Sequence, residues 1–476
     1  MNSLKDKLSR DKKKILMIAY FFPPLGGSGV QRTLKFVKYL PQFAIEPVVS
    51  TVRHGHNFAY DESLLQEIPE SVKVYRSNSL ETLWLRDLIE KFSGNKAGKA
   101  EKTQTQTQTP VQTTAQIQPQ SQAQIQTHQP SNIEHRILPP RTSLKQRLFN
   151  LIDDYLFVPD SKVRWLPFGF LSSLKIARKE KVSVLFSSSY PYTVHLMALL
   201  VQTFYHKPWI ADFRDPWVGN KAMAKNIAYR QKADIWLERQ VVRKASYVIN
   251  VTPSITQMYQ ERYPEYAEKF VTITNGFDPA DFHQVSPYSF SKFTLIHTGI
   301  LSKDRSPAAL VRGLELLVEE RPELREQIQV LFVGFIPEEF VQMFKQSAVA
   351  DMFEVRPYVP HSVCLDYLAG AQLQLLIFDN SPETKAAYSG KVFDYIGTQK
   401  PILGILPEGV AADLIQTKGI GTVVRIGDAN GVKEAVAKHF NEWSAGGGSL
   451  DSAARCVEFS RVYLTEQLAS LIQRLS

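Results

Sequence analysis

The stretch AYFFPPLGGSGVQR (residues 19–32) sits where an apolar run meets a helical pattern. ILMIAYFF (15–22) reads as a strand and stops at Pro23-Pro24. Three glycines then fall within four positions, and SGVQRTLKFVKYL continues with the spacing of an amphipathic helix. A helix N-terminus presents unpaired N–H groups and the positive end of its dipole, so phosphate can lie against the turn where no Cβ blocks it. Gly26, Gly27, Ser28 and Gly29 are therefore a candidate turn for a phosphorylated or polyhydroxyl ligand. The spacing is neither G-x-G-x-x-G nor G-x-x-x-x-G-K-[ST], so no generic dinucleotide or ATP site follows, and a tight turn alone is the alternative.

Outward from this unit, EPVVST (46–51), VSVLFSS (182–188), PWIADF (208–213), YVINV (247–251) and FVTIT (270–274) alternate with helix-length segments. A second series begins near 293: FTLIHTG (293–299), IQVLFVG (328–334), LQLLIF (373–378), PILGIL (401–406) and GTVVRI (421–426). Strands alternating with helices imply parallel sheets covered on both faces. The expected fold is α/β, with two Rossmann-like doubly wound domains facing across a cleft. We place the N-terminal domain at 15–285, the C-terminal domain at 286–445, and a linker with a packing helix at 446–476. Ligands in such sheets bind outside the carboxyl ends of the strands, which puts the crevice between the domains.

Two segments stand apart. Residues 1–14 form a basic tail, too briefly apolar afterwards to serve as a signal peptide. Residues 99–131 are Gln/Thr/Pro-rich, with too few apolar groups to offset chain entropy, and are expected to be a disordered insertion. With 44% hydrophobic and 22% charged residues the composition is globular, and no apolar run approaches the ~18 residues of a membrane span. The two cysteines, Cys364 and Cys456, suggest neither a disulfide framework nor a zinc site, which fits a cytoplasmic location. A formal net charge of +9 favours an anionic partner.

Four further stretches carry chemistry. ADFRDPW (211–217) sets Asp212, Arg214 and Asp215 at a strand end, able to bind sugar hydroxyls or to form an internal Arg–Asp pair. His195 follows the strand ending near Ser188, where a core histidine is the plainer reading. HTGILSKDRSP (297–307) places Gly299, Lys303 and Arg305 before a helix, suited to a diphosphate. Ser389, Gly390 and Lys391 open another helix, with Asp394 one turn on and suited to ribose hydroxyls. Separately, SLKQRLFNLIDDYLF (143–157) has an apolar stripe near several cations and could lie on anionic lipid or pack inward.

Taken together, FFPPLGGSGVQR, PDSKVRWLP, SSSYPYTVHL, ADFRDPW, TNGFDPADF, HTGIL and SGKVFDYIGTQKPIL resemble glycosyltransferase family 4. The resemblance implies a GT-B fold and transfer of a sugar from a nucleotide-sugar donor with retention of configuration. It implies no metal or other cofactor, in accord with the lack of an Asp-x-Asp motif. The partners it implies are the nucleotide sugar and a glycan or lipid-linked acceptor, in surface polysaccharide assembly, and no nucleic acid; peripheral contact with the inner face of a membrane would come from the 143–157 stripe. By the same resemblance the Gly26–Gly29 turn lies near donor phosphates and the reacting sugar, His195 near the transferred sugar, Arg305 on the diphosphate and Asp394 on the ribose. Two positions depart from the family pattern: Ile300 stands where an arginine is usual and Ala386 where a glutamate is usual. Lys303 or Lys391 could supply the missing charge. A GT-B sugar-nucleotide epimerase and a non-catalytic sugar- or membrane-binding relative are the competing readings.

Overall fold

The computed structural model describes residues 13–55, 60–80, 157–220, 227–447, 450 and 452–475. Most of the basic tail, the 99–131 insertion and all but the last residue of the 143–157 stretch lie outside the described residues. Among the described residues no helix is long and apolar enough to cross a membrane.

The first sheet contains β1 (Lys13–Ile18), β2 (Ile45–Val52), β3 (Lys73–Ser77), β4 (Val184–Ser188), β5 (Trp209–Phe213), β6 (Tyr247–Asn250) and β7 (Phe270–Thr272). Their spatial order is β3-β2-β1-β4-β5-β6-β7, and every pairing is parallel. The second sheet contains β8 (Phe293–Thr298), β9 (Ile328–Val333), β10 (Phe353–Arg356), β11 (Leu373–Ile377), β12 (Ile402–Ile405) and β13 (Gly421–Val424). Its order, β10-β9-β8-β11-β12-β13, is again wholly parallel. Both sheets reverse order beside their first strand, between β1 and β4 and between β8 and β11, as a doubly wound fold does. The two-sheet architecture read from the sequence is borne out.

The central strands are buried on both faces because helices cover both. Val184–Ser188, Trp209–Phe213 and Phe293–Thr298 have no exposed residue. One cover comes from far along the chain. Helix Arg461–Arg474 lays Leu464, Leu468, Ala469, Leu471 and Ile472 against Ile15, Met17, Phe36 and Val37 of the first sheet's layer. The crossing is pinned where Phe277 N–H donates to Phe459 O (3.1 Å) and Arg461 N–H to Phe277 O (2.8 Å). Gly276 is required there, since a Cβ would stand 1.9 Å from Phe459 O.

Candidate active site

The carboxyl ends of both sheets open onto a shared cleft of about 650 Å³, within the size range of small-molecule sites. Its N-terminal wall begins after β1. Gly27 is the N-cap of helix Ser28–Tyr39 with φ 87°, a conformation open to glycine and strained for other residues. That helix has no side-chain cap bond and no acid in its first turn, so its leading amides and dipole face the cleft uncompensated. Gly27 lines the cleft, and buried Gly26 lines an adjoining chamber of about 690 Å³. At Gly29 a Cβ would only reach ordinary contact with Phe21, and its carbonyl instead accepts from Arg214 Nη1 at 2.7 Å.

The 212–215 loop divides into two roles. Asp212 is wholly buried and takes the guanidinium of Arg32 side-on, with Nη2 at 2.7 Å and Nε at 3.1 Å from Oδ1, while Ser188 Oγ donates to its other oxygen at 2.6 Å. Arg32 spends its remaining donors on Ile273 O (2.8 Å) and Thr274 O (2.6 Å). The partner of Asp212 is thus Arg32 from the first helix and not the neighbouring Arg214 expected from the loop's sequence, because the folded sheet brings Arg32 alongside it. Arg214 and the exposed Asp215 line the cleft. Burial lowers the Arg214 pKa, against the pull of Asp215 and Asp212.

His195 does not line the cleft. It is fully buried in the first turn of helix Thr193–Tyr205, its Nδ1 2.8 Å from Ser187 Oγ and its ring 4.5 Å from that of Phe213. Burial takes its pKa down to about 3, so it is neutral at physiological pH.

The opposite wall is the start of helix Gly390–Thr398. Ser389 caps it by accepting from Lys391 N–H (3.3 Å), Gly390 has open space where a Cβ would stand, and the first turn carries no acid. Lys391 Nζ donates to Ile300 O (3.0 Å) and lies 3.1 Å from His297 Nε2. Among the described residues no carboxylate pairs with Lys391. Burial, then the nearby Arg305, brings its pKa down to about 8. Arg305 stacks on Phe378 and stands 3.5 Å from Asp379. Gly299, at φ 87°, leaves room for the Lys391 stem, which a Cβ would meet at 3.1 Å. Asp394 is half-buried in the cleft wall and its pKa is raised by burial.

Lys303 points away, its side chain 78% exposed and 3.9 Å from Glu339, outside the cleft. Of the two departing positions, Ile300 lies on the cleft rim at 62% exposure. Ala386 sits away from it and accepts a bond from Thr252 Oγ1 at 2.8 Å.

The structure adds residues that sequence reasoning passed over. Lys35 reaches Glu67 (2.6 Å), Asp278 (2.8 Å) and Asp281 (2.7 Å), and Lys38 and Tyr39 also bond Asp278. Burial alone would raise the Asp278 pKa, and Lys35 with these partners reverses this and holds it at about 2. Glu67, Asp278 and Asp281 are spaced as a cation cluster, and the ammonium of Lys35 already stands among them. Arg461, from the crossing helix, also lines the cleft.

Residues 132–281 match the family model Glycosyltransferase Family 4. The match takes in the 212–215 loop and His195, while the glycine turn and the 297–403 motifs lie outside it. No curated protein matches the chain in sequence. Among solved structures, a glycosyltransferase from Rickettsia africae shares 12% identity at a TM-score of 0.58, covering 98% of this chain and 99% of that one. Anabaena Alr3699/HepE, in complex with UDP and glucose, shares 12% at 0.55, covering 97% and 100%. Sucrose-phosphate synthase from Thermosynechococcus elongatus shares 12% at 0.57, covering 97% and 99%. At such identities the likeness speaks for the fold. The family match covers residues 132–281, and the two facing Rossmann-like sheets have the GT-B architecture of these solved structures.

Proposed function

We propose that the chain moves a hexose-type sugar from a nucleoside-diphosphate donor to a glycan or lipid-linked acceptor, with retention of configuration, in surface polysaccharide assembly on the cytoplasmic side of a membrane. The observation that carries this reading is the convergence on one cleft of two helix starts with no acid in their first turns, at Gly27 and at Ser389–Gly390, with Lys391 and Arg305 beside the second. Such an arrangement suits a dianionic leaving group. The UDP and glucose held by the Anabaena relative are of the matching class.

In this reaction the bond from the anomeric carbon to the diphosphate oxygen breaks and a bond to the acceptor oxygen forms on the same face. The acceptor proton passes to a departing phosphate oxygen. Lys391, Arg305 and the amides at both helix starts receive the growing negative charge, so the chain's own cations serve and no metal is required. Asp394 accepts from the ribose hydroxyls, and Arg214 with Asp215 orients the acceptor side. The amphipathic stretch 143–157 brings the cleft to a lipid-linked acceptor. Liposome flotation tests that contact, and failure to float at low salt removes it.

The test of the main reading is thermal unfolding of wild type and Asp394→Ala with UDP, GDP and dTDP. A ligand specific to the folded state stabilises by about 2.7 kcal/mol at 100 times its Kd. One nucleotide should stabilise the wild type and lose most of its effect in the variant. No stabilisation by any of them would favour a non-catalytic relative. Conversion of the donor sugar without acceptor would instead identify an epimerase.

A further inference from the structure

We propose that Arg461 is an anion-binding residue of the cleft, taking the diphosphate of the donor from the crossing helix. The proposal rests on the nucleotide-sugar reading above. Arg461 is the first residue of helix Arg461–Arg474, whose apolar face is committed to the N-terminal sheet. Its N–H is fixed to Phe277 O, and Ser460 before it caps the helix by accepting from Tyr463 N–H at 3.3 Å. The backbone is therefore held, and the side chain is directed into the same cleft as Lys391, Arg305 and Asp394.

Arg461 is only 7% exposed, its Nη1 is buried with no hydrogen-bond partner, and it makes no ion pair among the described residues. A buried cation in that state is costly unless something supplies acceptors. Arg32, in the same interior, shows the contrast, with Asp212, Ile273 O and Thr274 O taking its donors. The carboxylates nearest to Arg461 do not fill the gap. Asp278 is already bonded to Lys35, Lys38 and Tyr39, and Asp394 acts on it from beyond ion-pair contact. Burial, followed by Arg32 and Arg214, pulls the Arg461 pKa down to about 9, against the pull of Asp278 and Asp394. A planar fork of donors facing the cleft that Lys391 and Arg305 also line fits phosphate oxygens. Because the fork comes from a helix packed on the first sheet, a diphosphate resting on Lys391 would be touched from both domains.

The experiment uses the full chain and the variants Arg461→Gln and Arg461→Lys, titrated calorimetrically with UDP, GDP, dTDP, uridine and inorganic pyrophosphate. The expected result is a loss of roughly tenfold or more in diphosphate affinity for Arg461→Gln, a smaller loss for Arg461→Lys, and uridine binding within about twofold of wild type. Equal losses for UDP and uridine would make Arg461 a packing residue, and unchanged UDP affinity would leave it no role; either overturns the proposal. If the wild type binds no nucleotide but binds pyrophosphate through Arg461, the nucleotide-sugar reading fails and the anion site stands. If pyrophosphate is also ignored, both fail. Unfolding of the unliganded variants reports whether either has lost its fold, and Arg461→Lys keeps the test open should Arg461→Gln do so.

Discussion

Lys391 and His297 face each other with Nζ 3.1 Å from Nε2. The other imidazole nitrogen, Nδ1, is 3.1 Å from Leu375 O, which can only accept, so Nδ1 carries the proton and Nε2 offers its lone pair to the lysine. Burial, and then Lys391 itself, lowers the His297 pKa well below its ordinary value, which keeps the ring neutral in this arrangement. Lys391 is thus steered by two neutral acceptors, His297 and Ile300 O, and its charge remains for a ligand.

A pH dependence follows. With a free-state pKa of about 8 against the ordinary 10.5, Lys391 is an ammonium below pH 8 and loses its proton above it. Donor affinity should hold at neutral pH and weaken as pH rises from 8 towards 10. Stability of the unliganded protein runs oppositely: this group's contribution is full above 10.5 and is lost as pH falls through 8. Titration of UDP across this range should show the decline in wild type and lose it in Lys391→Arg. Lys391→Ala should cost roughly 10- to 100-fold in affinity.

Asp212→Ala should act on stability before it acts on catalysis. It would strand the buried Arg32 guanidinium, a change worth about 3–5 kcal/mol in buried pairs. Urea denaturation of the variant should show that loss, and a stable but inactive variant would instead place Asp212 in the chemistry.

Acid sensitivity should be traceable to His195. A folded pKa of about 3 against the ordinary 6.5 means that its contribution is full above 6.5 and is lost as pH falls towards 3. Unfolding midpoints of wild type should drop across this window, and those of His195→Leu should drop less. Donor affinity of His195→Leu at pH 7 should stay close to wild type, since the ring is walled off from the cleft.

Gly299→Ala should damage two things together. Its φ of 87° costs an alanine about 1–3 kcal/mol, and the new Cβ presses on the Lys391 stem. Thermal unfolding should register the first and weaker UDP binding the second.

How far the sequence could be read depended on whether the signal was local. Buried strands such as β4 and β11 announce themselves as apolar runs, and the alternation with helices gave the two sheets. The strands Lys73–Ser77 and Phe353–Arg356 were missed because they are edge strands whose polar residues face water, leaving no apolar run. In the site, Gly27, Arg305, Lys391 and Asp394 were legible because each follows a strand end or opens a helix. The partner of Asp212 was not: Arg214 lies two positions away, and only the folded sheet brings in Arg32 across 180 residues. Lys303 and Arg305 are likewise two apart, and side-chain direction alone separates the one near Glu339 from the one in the cleft. Arg461 carried no motif, since its meaning comes from where the crossing helix starts.

The packing of Arg461–Arg474 on the first sheet has a consequence for biosynthesis. Translation delivers β1 through β7 early, yet the apolar surface around Ile15, Met17 and Phe36 stays uncovered until Leu464–Ile472 have emerged. The earlier half of the chain must therefore wait beside the ribosome with a sticky flank while the second sheet is made. A nascent chain stalled between Thr272 and Arg461 would be a natural client for a holding chaperone.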